Sequence, residues 1–131
     1  MTYLKSVGID SPLTAFGEVS IAENYPVIQA SFVYDVLPPS FSTFTGSGGT
    51  ALATNGMATC TTGVSVGGYG VIRSNRSLIY RAGQAGQAKF TAVFTAGVAS
   101  SGQIAGLFNL GDGFFFGYDG TSFGLCHRFG G

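Results

Sequence analysis

His127 is the one histidine of this chain, and it directly follows Cys126, one of two cysteines. A histidine beside a thiol is the raw material of a Cys-His nucleophile, and His127 with Asp112 or Asp119 is that of a Ser-His-Asp system. Both readings fail on placement. Neighbouring residues of a strand point to opposite faces, so Cys126 and His127 do not readily form a thiolate pair. No serine stands in a Gly-x-Ser-x-Gly elbow that leads into a helix. His127 is read as an outward strand residue beside Arg128, and no residue is assigned a catalytic role.

Metal chemistry meets the same obstacle. Asp112 and Asp119 bracket an aromatic run and lie roughly 20 Å apart if the chain between them is extended. A calcium site needs several oxygens converging from close positions, and no Asp-x-Asp-x-Asp run exists. The Gly-rich stretch Gly63-Val64-Ser65-Val66-Gly67-Gly68-Tyr69-Gly70 lacks the lysine and helix of a phosphate cradle. Asn75-Arg76-Ser77 fits the glycosylation sequon, which matters only in a secretory pathway. No metal ligand, cofactor-binding residue or cofactor is assigned. Tyr118, Phe123 and Tyr69 are the remaining candidates, as aromatic platforms for a sugar, although aromatic runs usually form core.

The elements that position these residues centre on Gly113-Phe114-Phe115-Phe116-Gly117-Tyr118, followed by Asp119-Gly120 and a second aromatic run, Thr121 to Phe129. Asp-Gly between apolar runs predicts a type I′ hairpin, and the aromatic density predicts strands buried on both faces. Upstream, Val27 to Val36 alternates and predicts a half-buried strand, as does Lys89 to Ala96, with Phe90, Ala92 and Phe94 inward. Further strands are expected from Thr14 to Ala22, Met57 to Val66, Tyr69 to Ser74, Leu78 to Arg81 and Gln103 to Phe108. Ser40 to Thr50 reads as a long loop or weak edge pairing, and Ala82 to Gly86 as a loop. No segment keeps helical periodicity over three turns. The pattern predicts an all-β fold, an antiparallel β-sandwich of jelly-roll type with eight or nine strands and little or no helix.

The 131 residues suit one domain, read as an N-terminal arm over 1–13 and a single sandwich over 14–131. Charged residues make up 9% against about 25% in ordinary soluble domains, while the chain holds 22 glycines, 12 phenylalanines and 6 tyrosines. Such a surface fits a chain that hides much of itself against neighbours. Net charge is zero, which gives no general footprint for nucleic acid or an anionic membrane. The charge is nonetheless uneven: Asp10, Glu18, Glu23 and Asp35 face only Lys5, and five later cations face Asp112 and Asp119. The two cysteines, Cys60 and Cys126, are expected to be buried thiols. No signal-peptide pattern opens the sequence and no apolar run reaches the length of a membrane span, which predicts assembly in a reducing compartment.

Several segments carry a family likeness: Tyr80-Arg81-Ala82-Gly83-Gln84, Lys89-Phe90-Thr91-Ala92-Val93-Phe94, Gly113 to Gly124 and Arg128-Phe129-Gly130-Gly131. With Thr14-Ala15-Phe16-Gly17-Glu18-Val19-Ser20 they resemble virion structural proteins of large DNA viruses of algae and protists and of some marine phages. The resemblance implies a β-sandwich in a capsid-associated, decoration, spike or fibre protein, located in the virion and assembled in host cytoplasm. It also implies related chains that continue past Gly130-Gly131 into further β-rich sequence, of which this chain would be the N-terminal domain or a processed piece. No catalytic residue comes with it. Leu125-Cys126-His127 departs from the plainer aliphatic and polar residues expected there.

The function expected from the sequence is thus non-enzymatic: subunit packing as a homo-oligomer, with a trimer favoured, and against other capsid proteins. The loops at Ser40–Asn55 and Ala82–Gln87 are expected to face partners. The alternative is a lectin-like module that binds host glycans.

Overall fold

The computed structural model describes residues 25–79 and 86–130. They belong to two compact units, Met1–Leu78 and Ile79–Gly131. Seven strands and no helix are present among the described residues, so the chain is all-β, in small antiparallel sheets. The expected arm over 1–13, the strand from Thr14 to Ala22 and the loop residues 82–85 lie outside the described residues.

In the first unit β1 (Phe41–Gly46) pairs with β4 (Tyr69–Ser74), and β2 (Thr50–Thr54) pairs with β3 (Met57–Thr61). The β2–β3 hairpin is nested in sequence between the strands of the other pair. Its turn is Asn55-Gly56, with φ of 52° and 76°. Both central residues are left-handed, as a type I′ turn requires, and Asn and Gly tolerate that region best. Thr50 and Thr61 face each other at the open end and their hydroxyls bond at 2.7 Å. The two ribbons meet closely, because a Cβ added to Gly70 of β4 would run into the carbonyl oxygens of Thr50 and Thr61.

Of the two readings of Ser40 to Thr50, loop or edge pairing, the structure realises the pairing over Phe41–Gly46. Phe41 to Gly46 alternates Phe, Ser and Thr in a way that suits a partly wet strand, and β4 supplies its partner. The Ser40–Asn55 stretch expected to face partners as a loop is mostly two strands, β1 and β2. Val27 to Val36 deviates in the other direction. It alternates but finds no partner strand, so its backbone joins no ladder, and Val33 and Tyr34 are 56% and 95% exposed. Side chains hold it instead: Arg76 donates to the Val27 carbonyl at 3.4 Å, Phe32 packs edge-on against Phe41 at 5.2 Å, and Val36 is buried next to the turn where Ser40 and Phe41 N–H groups donate to the Leu37 carbonyl.

The second unit is a three-stranded meander, β5 (Gly102–Phe108), β6 (Gly113–Asp119) and β7 (Ser122–Arg128), in the order β5-β6-β7. The β6–β7 hairpin turns one residue later than Asp119-Gly120. Asp119 is still paired with Ser122, and the loop is Gly120-Thr121. Only Gly120 of those two has positive φ, at 59°, so the turn has the type II′ pattern with glycine first, not type I′. Lys89 to Ala96 forms no strand either, although its alternation is clean. It crosses the sheet as a strap, held by side chains.

Phe114 to Phe116 are not buried on both faces. Phe114 is 60% exposed, and Phe115 and Phe116 are half-buried. Within the described residues Val36, at 6%, is the single buried large hydrophobic side chain. Among the described residues most of the Phe, Val and Leu side chains are left uncovered.

Candidate functional site

The meander's register sorts its side chains onto two faces. On one, Phe116 stands between Ala105 and Leu125, Phe114 between Leu107 and His127, and Tyr118 between Gln103 and Phe123. Period-two alternation of the Phe-Phe-Phe-Gly-Tyr run accounts for this directly. The strap lays two more rings on this face. Phe90 stacks on Phe116 at 5.3 Å with 5° between planes. Phe94 meets Phe116, Tyr118 and Phe123 edge-on at 5.8, 6.4 and 5.7 Å. Each such pair contributes about 0.5–1.5 kcal/mol beyond the area it covers.

One polar side chain fixes the strap. Gln103 accepts hydrogen bonds from the Thr95 N–H and hydroxyl, each at 3.1 Å, and donates to the Thr95 and Ala96 carbonyls at 3.4 and 3.5 Å. Its amide thus stands in for a neighbouring strand's backbone. Sequence reasoning did not single out Gln103; the only signal was a lone amide among apolar residues in β5.

The opposite face is flatter. Phe115 lies between Gly106 and Cys126, and Gly117 between Ile104 and Gly124. Arg128 spreads its guanidinium over Phe108 and Phe115, 5.8 and 5.3 Å from the ring centroids, and donates to the Asn109 carbonyl at 3.0 Å. Asn109 organises the β5–β6 loop, its side-chain oxygen accepting the Gly111 and Asp112 N–H groups at 2.7 and 2.8 Å. Asp112 accepts the Gly130 N–H at 3.3 Å. Of the two carboxylates expected at turns, Asp112 lies in the β5–β6 loop, while Asp119 is the last paired residue of β6.

The structure keeps the candidate catalytic residues apart. His127 is cross-strand from Phe114 and stacks on it at 4.4 Å, while Cys126 is cross-strand from Phe115 on the other face. His127 is exposed, as expected of an outward residue. Two Gly-x-Ser-x-Gly spacings do occur, around Ser65 and Ser122. The first lies in the turn between β3 and β4, where the Gly68 N–H donates to the Ser65 carbonyl, and the second opens β7; neither leads into a helix. Ser122 and His127 also fall on opposite faces. Among the described residues no three His, Cys, Asp or Glu side chains gather as a metal site.

Both thiols are free and their residues are exposed, which corrects the expectation of buried cysteines. Cys60 sits on the two-stranded β2–β3 ribbon and Cys126 on the open three-stranded sheet, and neither small sheet covers both of its faces, so a small side chain on it stays in reach of solvent. The Cys60 sulfur is nonetheless partly desolvated, which pushes its pKa up, and a hydrogen bond with the Ile72 backbone offsets part of that. Asn75 of the sequon is engaged at both ends of its amide. It donates to the Pro38 carbonyl at 3.0 Å and accepts from the Ser42 hydroxyl at 2.6 Å, tying β1 to the chain on either side of it.

Of the three platform candidates, Tyr118 and Phe123 come together, edge-on at 5.1 Å, while Tyr69 belongs to the other unit and covers Gly46. Tyr118, Asp119, Ser122 and Phe123 rim a shallow depression of about 160 Å³ at the hairpin end of the sheet. That is smaller than the roughly 300 Å³ at which ordinary small-molecule pockets begin. What the arrangement offers is apolar surface with a few polar groups at its rim. No family model, no curated protein and no solved structure matches this chain.

Proposed function

We propose that the chain is a non-enzymatic structural protein of a virion, a capsid-associated, decoration or spike/fibre component. It works by packing against copies of itself and against neighbouring capsid proteins, and its strands belong to an antiparallel sandwich of jelly-roll type. The assignment to a virion, assembled in host cytoplasm, rests on the sequence resemblance. The packing role rests on one observation: Phe114, Phe123 and Leu125 of a single sheet are 60%, 57% and 76% exposed. Contiguous apolar surface of this kind marks an interaction site, and an obligate interface resembles a core cut in half.

The test is the mass of the purified chain in solution, by light scattering at two concentrations. A stable trimer or larger closed assembly is expected. A monomer at both concentrations overturns the packing role.

A second reading has its own observation. The Tyr118–Phe123 pair at the hairpin end of the sheet is a small aromatic platform, with Asp119 and Ser122 at the same end on the opposite face, and aromatic platforms are what a lectin-like module for host glycans needs. On that reading a glycan array gives binding that Tyr118→Ala abolishes. Silence across host glycans removes it.

A further inference from the structure

β7 is an edge strand of unusual openness. β6 occupies one side of it, and among the described residues nothing pairs with the other. Over its seven residues, Ser-Phe-Gly-Leu-Cys-His-Arg, no proline interrupts the ladder and a single charge, Arg128, guards the end. Natural edges are usually blunted by inward charges, prolines, bulges or short length, and an unblunted one is a template for another strand. β5, at the opposite edge, instead carries the Gln103 grip on the strap.

We propose that the occupant of this edge is β7 of a second copy, antiparallel across a two-fold axis at Leu125. The proposal rests on the packing role above and specifies one surface for it. Only a register centred on Leu125 pairs all seven residues, and its consequences follow from the sequence of the strand. Leu125 meets Leu125 of the second copy, His127 meets Phe123, Cys126 meets Gly124 and Arg128 meets Ser122. No like charges fall opposite each other, the arrangement cross-strand pairs favour. The His127–Phe123 pair repeats a contact that the sheet already makes, since His127 stacks on Phe114 at 4.4 Å within one chain. The aromatic faces of the two meanders become one continuous face. Because the contact is isologous it closes on itself in pairs, where a head-to-tail β7-to-β5 contact would run on as a ring or a filament. A two-fold contact joins copies in pairs, so a trimer formed through other surfaces carries it only as two trimers joined into a hexamer.

Two variants test the register in the full-length chain. In a Cys60→Ser, Cys126→Ser background, Leu125→Cys places two thiols face to face. Mild oxidation should convert most of it to a covalent dimer, whereas Leu110→Cys, on an exposed loop, should not cross-link. Leu125→Lys sets two like charges directly opposite and should weaken self-association by roughly tenfold or more. Far-UV circular dichroism checks that both variants fold. If the parent chain self-associates but Leu125→Cys fails to cross-link and Leu125→Lys changes nothing, the β7 contact is wrong and the packing role stands. A parent chain that is monomeric throughout overturns both.

Discussion

Replacing Phe116 by alanine tests whether the strap is packed on the sheet or merely lies near it. The ring is half-buried between Ala105 and Leu125, stacked by Phe90 at 5.3 Å and met edge-on by Phe94 at 5.8 Å. Removing it returns on the order of 100 Å² of apolar contact to water, about 2.5 kcal/mol at ~25 cal/mol per Å². Losing the stack on Phe90 adds about 1 kcal/mol. The sum, about 3.5 kcal/mol, sits toward the low end for a buried Phe→Ala change, as partial burial requires. In a domain of this size that lowers the melting midpoint by roughly 12 °C or more. The chain has no tryptophan, so tyrosine fluorescence and far-UV circular dichroism follow the transition without interference from the altered residue. Leu110→Ala is the control. Leu110 is 91% exposed in the β5–β6 loop, and its loss should cost no more than about 0.5 kcal/mol. Equal shifts for the two variants would refute the reasoning, because the strap's rings would then add nothing to the sheet.

Gln103→Leu keeps the apolar stem and deletes the grip on Thr95 and Ala96. It should destabilise by about 1 kcal/mol and speed hydrogen exchange at the Thr95 amide, while exchange within β6 changes little. Gly56→Ala meets no neighbouring atom but forces an L side chain to φ of 76°, which should cost about 1–2 kcal/mol by chemical denaturation. In a Cys126→Ser chain, the Cys60 thiol should be alkylated more slowly at pH 8 than a free cysteine. Desolvation disfavours its thiolate, so the reactive fraction appears only at higher pH than usual, and unfolding in denaturant should remove the difference.

The sequence by itself determined the class of the fold and several of its strands. Tyr69 to Ser74 and Gln103 to Phe108 were legible because residues that suit a pleated sheet stand between clear turn residues. Gly113 to Arg128 was legible because an aromatic run meets a glycine turn. The separation of Cys126 from His127 was legible too, since it follows from strand period alone. Asn55-Gly56 could have been read as a hairpin from the same rules that drew attention to Asp119-Gly120.

Partnering was decided only by the tertiary structure. Val27 to Val36 and Lys89 to Ala96 alternate as well as any strand, yet a strand exists only where another chain segment offers its N–H and C=O groups. β1, with a weaker pattern, found β4. The strap found a glutamine side chain and the contacts of its two rings, Phe90 and Phe94, in place of a ladder. Burial was decided in the same way. The hydrophobicity of Phe114 to Phe116 is local and legible, but whether a second layer covers it depends on what the rest of the chain, or another chain, brings to that face.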